Sequence, residues 1–261
     1  MTNSSDFSSG EPGGGNVFGG LRVAVTGGTS GLGLALVREL LGRGARVAFV
    51  ARTRERVKVV ARENAGAHGI VGDVAAKEDI YPVALQVTGE LGGLDVLVNN
   101  ASDLGPVPLA MLSDTECEDL ERAFATNVLG PFRLTKALMG ALAASAREGR
   151  GAVVLNISSD AAVNAYPGWG AYGASKAALH HLSRIWGEEH AADGVRFLSL
   201  DPGDMDTPMH AAAIPDADTS TLKRPDTAAR ELADALAAAL SGRAAHDAPA
   251  KSARELEGAN A

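Results

Sequence analysis

The chain has 261 residues, 46% of them hydrophobic and only 4% aromatic, which suits one α/β domain with a large core. Its formal net charge of −8 opposes nucleic acid and anionic membrane surfaces, and a single cysteine, Cys117, excludes an internal disulfide or a metal-thiolate cluster. No run approaches the ~18 apolar residues that a membrane helix needs.

Residues 1–19 begin Ser/Gly-rich, without the basic start and apolar centre of a signal peptide, and are expected to be a disordered tail of a cytoplasmic protein. From residue 20 to about 247, apolar β-branched runs alternate with amphipathic stretches. That pattern predicts a parallel sheet with helical crossovers. Strands are expected at 21–26, 46–50, 69–71, 94–98, 152–157 and 195–200, with a brief seventh near 243–246. Helices are expected at 32–42, 54–65, 114–147, 171–190 and from 225 to about 240. Residues 204–224 show no clear periodicity, and a loop of that length inside a compact domain reads as a substrate lid. Residues 248–261 read as a second tail.

The first strand runs into Thr26-Gly27-Gly28-Thr29-Ser30-Gly31-Leu32-Gly33. Glycines there permit a tight turn at positive φ and bring backbone N–H groups against a pyrophosphate, at the positive end of the next helix. The alternative is a plain structural turn, but the strand-turn-helix context favours a dinucleotide. A fold of this kind that selects NAD ends its second strand with a carboxylate for the ribose hydroxyls. Here Ala51 and then Arg52 stand at that place, with Arg54 nearby. A guanidinium suits a 2′-phosphate, so NADP(H) is preferred over NAD(H), although a solvated arginine would look the same. After the third strand come Asp73 and Val74. Asp73 either receives the adenine amino group or caps the following helix.

Tyr172 and Lys176 stand four residues apart, on one helix face. A phenol near pKa ~10 is a weak acid–base group at neutral pH, and an adjacent ammonium is expected to lower that value. Ser158 and Ser159 end a strand, where a hydroxyl can hold a substrate oxygen beside the tyrosine. Such a Tyr/Lys pair by itself is usually surface chemistry. Following the glycine turn, the Asn99-Asn100 strand end and the Ser-Ser strand end, it points to catalysis.

In these motifs the chain resembles the short-chain dehydrogenase/reductase family. Thr26, Gly27, Gly31 and Gly33 match its TGxxxGxG turn, Asn99-Asn100-Ala101 most of its NNAG motif, and Tyr172 with Lys176 its YxxxK motif. Pro202-Gly203 and Thr207 match the segment that contacts the nicotinamide carboxamide, with Met205 between them. Ser159 lies 13 residues before Tyr172, the usual interval, and is preferred to Ser158. The resemblance implies a single Rossmann-type, doubly wound parallel sheet of six to seven strands with helices on both faces. It implies hydride transfer between NADP(H) and a small carbonyl or alcohol. Tyr172 would be the acid/base, Ser159 would orient the substrate oxygen, Lys176 would tune Tyr172 and hold the ribose, and Asn127 would support a proton relay. Asn127 also has a plainer reading, as a helix-kink residue. Cofactor contacts are expected from Gly27, Thr29, Ser30, Gly31, Leu32, Gly33, Arg52, Asp73, Val74, Asn100, Ala101, Tyr172, Lys176, Pro202, Gly203, Met205 and Thr207.

Two features depart from the family. Ser102 replaces the glycine of NNAG, and Asp204 and Asp206 make the start of the lid acidic. Substrate-side candidates are Asp103, Leu104, Asp160, Trp169, Met205, Met209 and His210. The histidines show no ligand spacing, so no metal site is expected. A homodimer or homotetramer is expected, on the resemblance and on the small Ala174, Ala177 and Ala178. Two other readings keep the fold: a non-catalytic NADP(H) sensor, and an epimerase or dehydratase.

Overall fold

The computed structural model describes residues 17–242. Six strands form one parallel sheet: β1 (Arg22–Thr26), β2 (Arg46–Ala51), β3 (Ala67–Val71), β4 (Val96–Asn99), β5 (Ala152–Ile157) and β6 (Val195–Leu200). Their order is β3-β2-β1-β4-β5-β6, so the chain reverses direction across the sheet between β1 and β4. A crevice opens at such a reversal beyond the carboxyl ends of the strands, and ligands of open α/β sheets bind there. β4 and β5 are buried at every position, because helices cover both faces. The proposed seventh strand lies outside the described residues.

The helices among the described residues are α1 (Gly31–Gly42), α2 (Arg54–Glu63), α3 (Ile80–Leu91), α4 (Cys117–Phe124), α5 (Gly130–Arg147), α6 (Gly170–Glu189), α7 (Pro208–Ala213) and α8 (Pro225–Leu240). On one face α1, α2 and α8 pack around Leu36, Leu40, Phe49, Leu232 and Leu236. On the other, α3 and α5 pack around Val87, Leu97, Leu134, Leu138 and Val154. Beside them α6 lies on β6, where Trp186 stacks on Phe197 with ring centroids 5.8 Å apart.

Three differences from the sequence expectation have physical causes. Helix α3 was not anticipated, yet Ile80, Val83, Ala84, Val87 and Leu91 recur at helical spacing and are buried. Pro82, in its first turn, and Gly89 disguise the pattern, although proline is tolerated at a helix start. Second, the expected continuous helix over 114–147 is divided into α4 and α5 by a wide π-helical turn, Ala125–Leu129. Pro131 has no N–H for the carbonyl of Asn127 four residues back, and the Asn127 side chain is bonded across to the loop after β4. Third, the expected tail reaches too far. Phe18 is buried in the core, with Arg43 lying 5.5 Å from its ring centroid.

Residues 204–224 contain α7 and a single 3-10 turn, Thr219–Thr221. The two ends of the segment are joined: Lys223 N donates to the Asp204 carbonyl and Asp206 N to the Lys223 carbonyl, each at 3.0 Å. The Lys223 ammonium also donates to the Pro202 carbonyl (3.0 Å) and pairs with Glu231 of α8 (2.7 Å).

Candidate active site

The turn after β1 is built around close approach. Gly27 (φ 71°) and Gly31 (φ 49°) adopt a backbone conformation that side chains resist. A Cβ at Gly33 would run into the Gly27 carbonyl and the Asn100 amide. Thr26 is buried, and its hydroxyl oxygen accepts from the backbone N–H groups of Asn100 and Ala101, both at 3.0 Å. The Asn100 amide returns a bond to the Thr26 carbonyl (2.8 Å), so the ends of β1 and β4 are tied together at the reversal point. Ser30, just before α1, is extended and makes no side-chain cap. The first-turn N–H groups of α1 therefore remain available to an anion.

A cavity of about 680 Å³ runs from this turn to the far side of β5 and β6. Every residue expected to contact a cofactor lines it. At one end stand Arg52 and Arg56, with Arg56 donating to the Thr29 carbonyl at 3.3 Å. Arg54 is not in the lining, and Arg56 takes the place expected for it. Asp73 does not cap the following helix, whose N-cap is Asp79; one of its carboxylate oxygens accepts from the Ala75 N–H at 2.9 Å in the turn after β3, and the residue borders the cavity.

At the other end Tyr172 and Lys176 project from α6, both buried. Lys176 donates to the Ile157 carbonyl at 2.8 Å and lies 5.4 Å from the Tyr172 ring centroid. Ser159, just after β5, and Ser102, after β4, line the cavity with Tyr172, and their hydroxyls pull its phenol downward. Ser159 also donates to Asp160 (3.1 Å) and accepts from Ala161 N (3.2 Å). Burial pushes the phenol up to about 12, against the pull of the two hydroxyls, with Asp201 and Asp160 adding to the rise. The expected lowering by Lys176 does not prevail in the free protein. Burial brings Lys176 itself down to about 8.

Asn127 does not line the cavity. It sits behind the wall, fully buried, with its carbonyl oxygen accepting from Asp103 N (2.8 Å) and Ser102 Oγ (3.1 Å). Its amide donates to the Asp103 carbonyl and to Ser175 Oγ, both at 2.8 Å. Leu104, Asp160, Trp169, Met205, Met209 and His210 border the main cavity, whereas Asp103 faces a separate shallow groove and pairs with Arg122.

Residues 22–218 match the short chain dehydrogenase family. The chain belongs to that family. It is 34% identical over 194 residues to a 2-(R)-hydroxypropyl-CoM dehydrogenase of Xanthobacter autotrophicus, covering 72% of this chain and 76% of that one. Among solved structures it resembles a 3-ketoacyl-(acyl-carrier-protein) reductase from Brucella melitensis complexed with NADH, with a TM-score of 0.77 and 25% identity over 83% of this chain and 90% of that one. An alcohol dehydrogenase from Thermococcus sibiricus complexed with 5-hydroxy-NADP gives a TM-score of 0.73 and 28% identity, covering 83% and 90%.

In this short chain dehydrogenase the sequence reading missed several cavity residues. Tyr166 donates to Asp160 at 2.8 Å, and that bond, with burial, raises its phenol. Asp201, at the end of β6, is raised by burial. No local signal marks either of them, because they reach the cavity through the meeting of separate loops. Arg56 did carry a signal: it lies in the first turn of a helix that starts beside the expected phosphate site.

Proposed function

We propose that the protein transfers a hydride between NADP(H) and a small carbonyl or alcohol, with Tyr172 as acid/base. The observation that carries this reading is a single cavity holding the glycine turn and two arginines at one end and Tyr172, Ser159 and Lys176 at the other. The residues fit a dinucleotide. The turn is a cradle that a Cβ at Gly33 would fill, and the uncapped α1 terminus offers N–H donors to a pyrophosphate. Arg52 and Arg56, without a carboxylate at the end of β2, suit a 2′-phosphate. Asp73, Val74, Asn100 and Ala101 would flank the adenine and ribose, and Pro202, Gly203, Met205 and Thr207 the nicotinamide.

When bound, the nicotinamide supplies or accepts the hydride. Tyr172 gives its phenolic proton to the carbonyl oxygen in reduction and takes a proton in oxidation. Ser159 donates to that same oxygen and orients it. Lys176 would hold the ribose and, as an ammonium beside the Tyr172 ring, would favour the phenolate. Asn127 acts from behind the wall, fixing the backbone of residue 103 and the start of α6.

The same reading carries a homodimer or homotetramer. Leu129, Phe132 and Ile185 are exposed apolar residues around α5 and α6.

The test is titration of the purified protein with NADPH and NADH, followed by nicotinamide absorbance decay against ketones, aldehydes and quinones. Tighter NADPH binding with turnover of a carbonyl is expected. Failure to bind either nucleotide would remove the proposal, and binding without turnover would favour a sensor.

A further inference from the structure

As the proposed partner of the substrate oxygen, Ser159 has one hydrogen and two lone pairs to offer. Most of these are already engaged. Ser159 Oγ lies 3.1 Å from Asp160 Oδ1 and 3.2 Å from the Ala161 nitrogen. A carboxylate only accepts and a backbone N–H only donates, so both roles are forced. Ser159 gives its hydrogen to Asp160 and takes the Ala161 N–H on one lone pair. A single lone pair remains for the cavity, whose wall Ser159 and Asp160 share.

Asp160 is itself held from two directions. It opens the 3-10 turn Asp160–Ala162, and its backbone carbonyl accepts from Val163 N at 3.0 Å and from Asn164 N at 2.9 Å. Its second carboxylate oxygen accepts from the Tyr166 phenol at 2.8 Å. The carboxylate thus serves two hydroxyls, one on each oxygen.

This arrangement treats the two sides of the reaction differently. An alcohol donates to the free lone pair of Ser159 and disturbs nothing. A carbonyl oxygen only accepts, so Ser159 must first turn its hydrogen away from Asp160. The carboxylate then keeps the Tyr166 phenol alone.

We propose that Asp160 is a positioning residue that holds the Ser159 hydroxyl as an acceptor toward the cavity, so that the site binds an alcohol more readily than the matching carbonyl. The proposal rests on the reading of Ser159 as the partner of the substrate oxygen. The ratio of kcat/KM in the two directions is fixed by the equilibrium constant of the reaction, so the bias shows in dissociation constants instead.

The test measures binding in complexes that cannot react. Cyclohexanone is titrated into the NADP⁺-saturated protein and cyclohexanol into the NADPH-saturated protein, each followed by ligand-observed NMR. Asp160→Ala is expected to tighten cyclohexanone by about fivefold, the worth of one hydrogen bond that no longer has to be broken, and to leave cyclohexanol and NADPH within about two-fold. In a Ser159→Ala background the same change should leave cyclohexanone unmoved, because the effect passes through the hydroxyl. Cyclohexanone that binds the wild type and Asp160→Ala equally, or binds neither, overturns the proposal. So does an equal gain for cyclohexanol. A gain that persists without Ser159 also overturns it, by assigning the effect to the lost charge or the added space. These complexes need no turnover, so absent carbonyl reduction by the wild type, which counts against the hydride-transfer reading, is seen separately.

Discussion

Tyr172 and Lys176 sit where burial works against the charged forms of both. The phenol stands near 12 and the ammonium near 8 in the free protein. The charged fraction of Lys176 therefore falls as pH rises through about 8. Because kcat/KM reports groups of the free enzyme, its value for NADPH is expected to decline above that pH with the loss of one proton. A flat profile between pH 7 and 9 would show that the ammonium is not required. Replacing Tyr172 with Phe should abolish turnover while NADPH binding stays within a few-fold, measured by fluorescence titration; joint loss would mark a structural tyrosine. At the other end of the cavity, the double change Arg52→Ala and Arg56→Ala should weaken NADPH by about tenfold or more and NADH much less, as expected for charge-assisted bonds to phosphate. Equal losses would remove the 2′-phosphate role.

Among the elements, the glycine turn and the segment 204–224 depend most on tertiary contact. Gly33 belongs to α1, yet its constraint comes from the Gly27 carbonyl and from Asn100 on the far side of the crevice. Gly33→Ala is expected to destabilise the fold by ~2 kcal/mol, as overpacking does, and to cost cofactor affinity as well, both read from thermal shifts with and without NADPH. The segment 204–224 is held by Lys223, whose backbone pairs with residues 204 and 206 and whose ammonium reaches Pro202 and Glu231. Lys223→Ala should raise KM for the carbonyl substrate several-fold with little change in global stability. An unchanged KM would mean that the segment closes without this staple. The π-helical turn shows how much of an element is legible in its own sequence. Apolar spacing through Phe124, Val128 and Leu134 predicts one helix over 114–147, and both flanking helices form. The break depends on Pro131, visible in the sequence, and on the bonds from Asn127 to residue 103, which are not.

For the molecule as a whole, acid stability is expected to hinge on Asp95, at the opposite end of β4 from the site. Its carboxylate is buried, pairs with Arg22 and Arg150, and takes the Ser145 hydroxyl. Burial alone would raise its pKa, but these hydrogen bonds outweigh it and hold the group at about 2. The folded value lies below the unfolded one. The contribution, roughly 2–3 kcal/mol, is therefore complete above about pH 4 and is lost as pH falls toward 2. Asp95→Asn should destabilise the protein by ~3 kcal/mol at neutral pH by leaving two arginines facing a neutral group, and should flatten the acid limb of a denaturation curve. If the variant keeps the wild-type acid limb, other carboxylates carry that transition.

The sequence by itself determined the alternation of strands and helices, the parallel sheet with its first six strands, the glycine turn and the Tyr172–Lys176 spacing. Each is written in short-range periodicity or in glycine and proline sterics, which act within a few residues. Helix α3 is written on the same grounds, in the helical spacing of Ile80, Val83, Val87 and Leu91. Only the tertiary structure decided that Arg56 rather than Arg54 faces the cavity and that Asn127 lies behind its wall. It alone brought Ser102, Ser159 and Asp201 into one cavity with Tyr172, and set that phenol above its ordinary pKa rather than below. Those outcomes depend on which loops meet at the carboxyl ends of β4, β5 and β6 and on how much water they exclude, and no local pattern encodes desolvation.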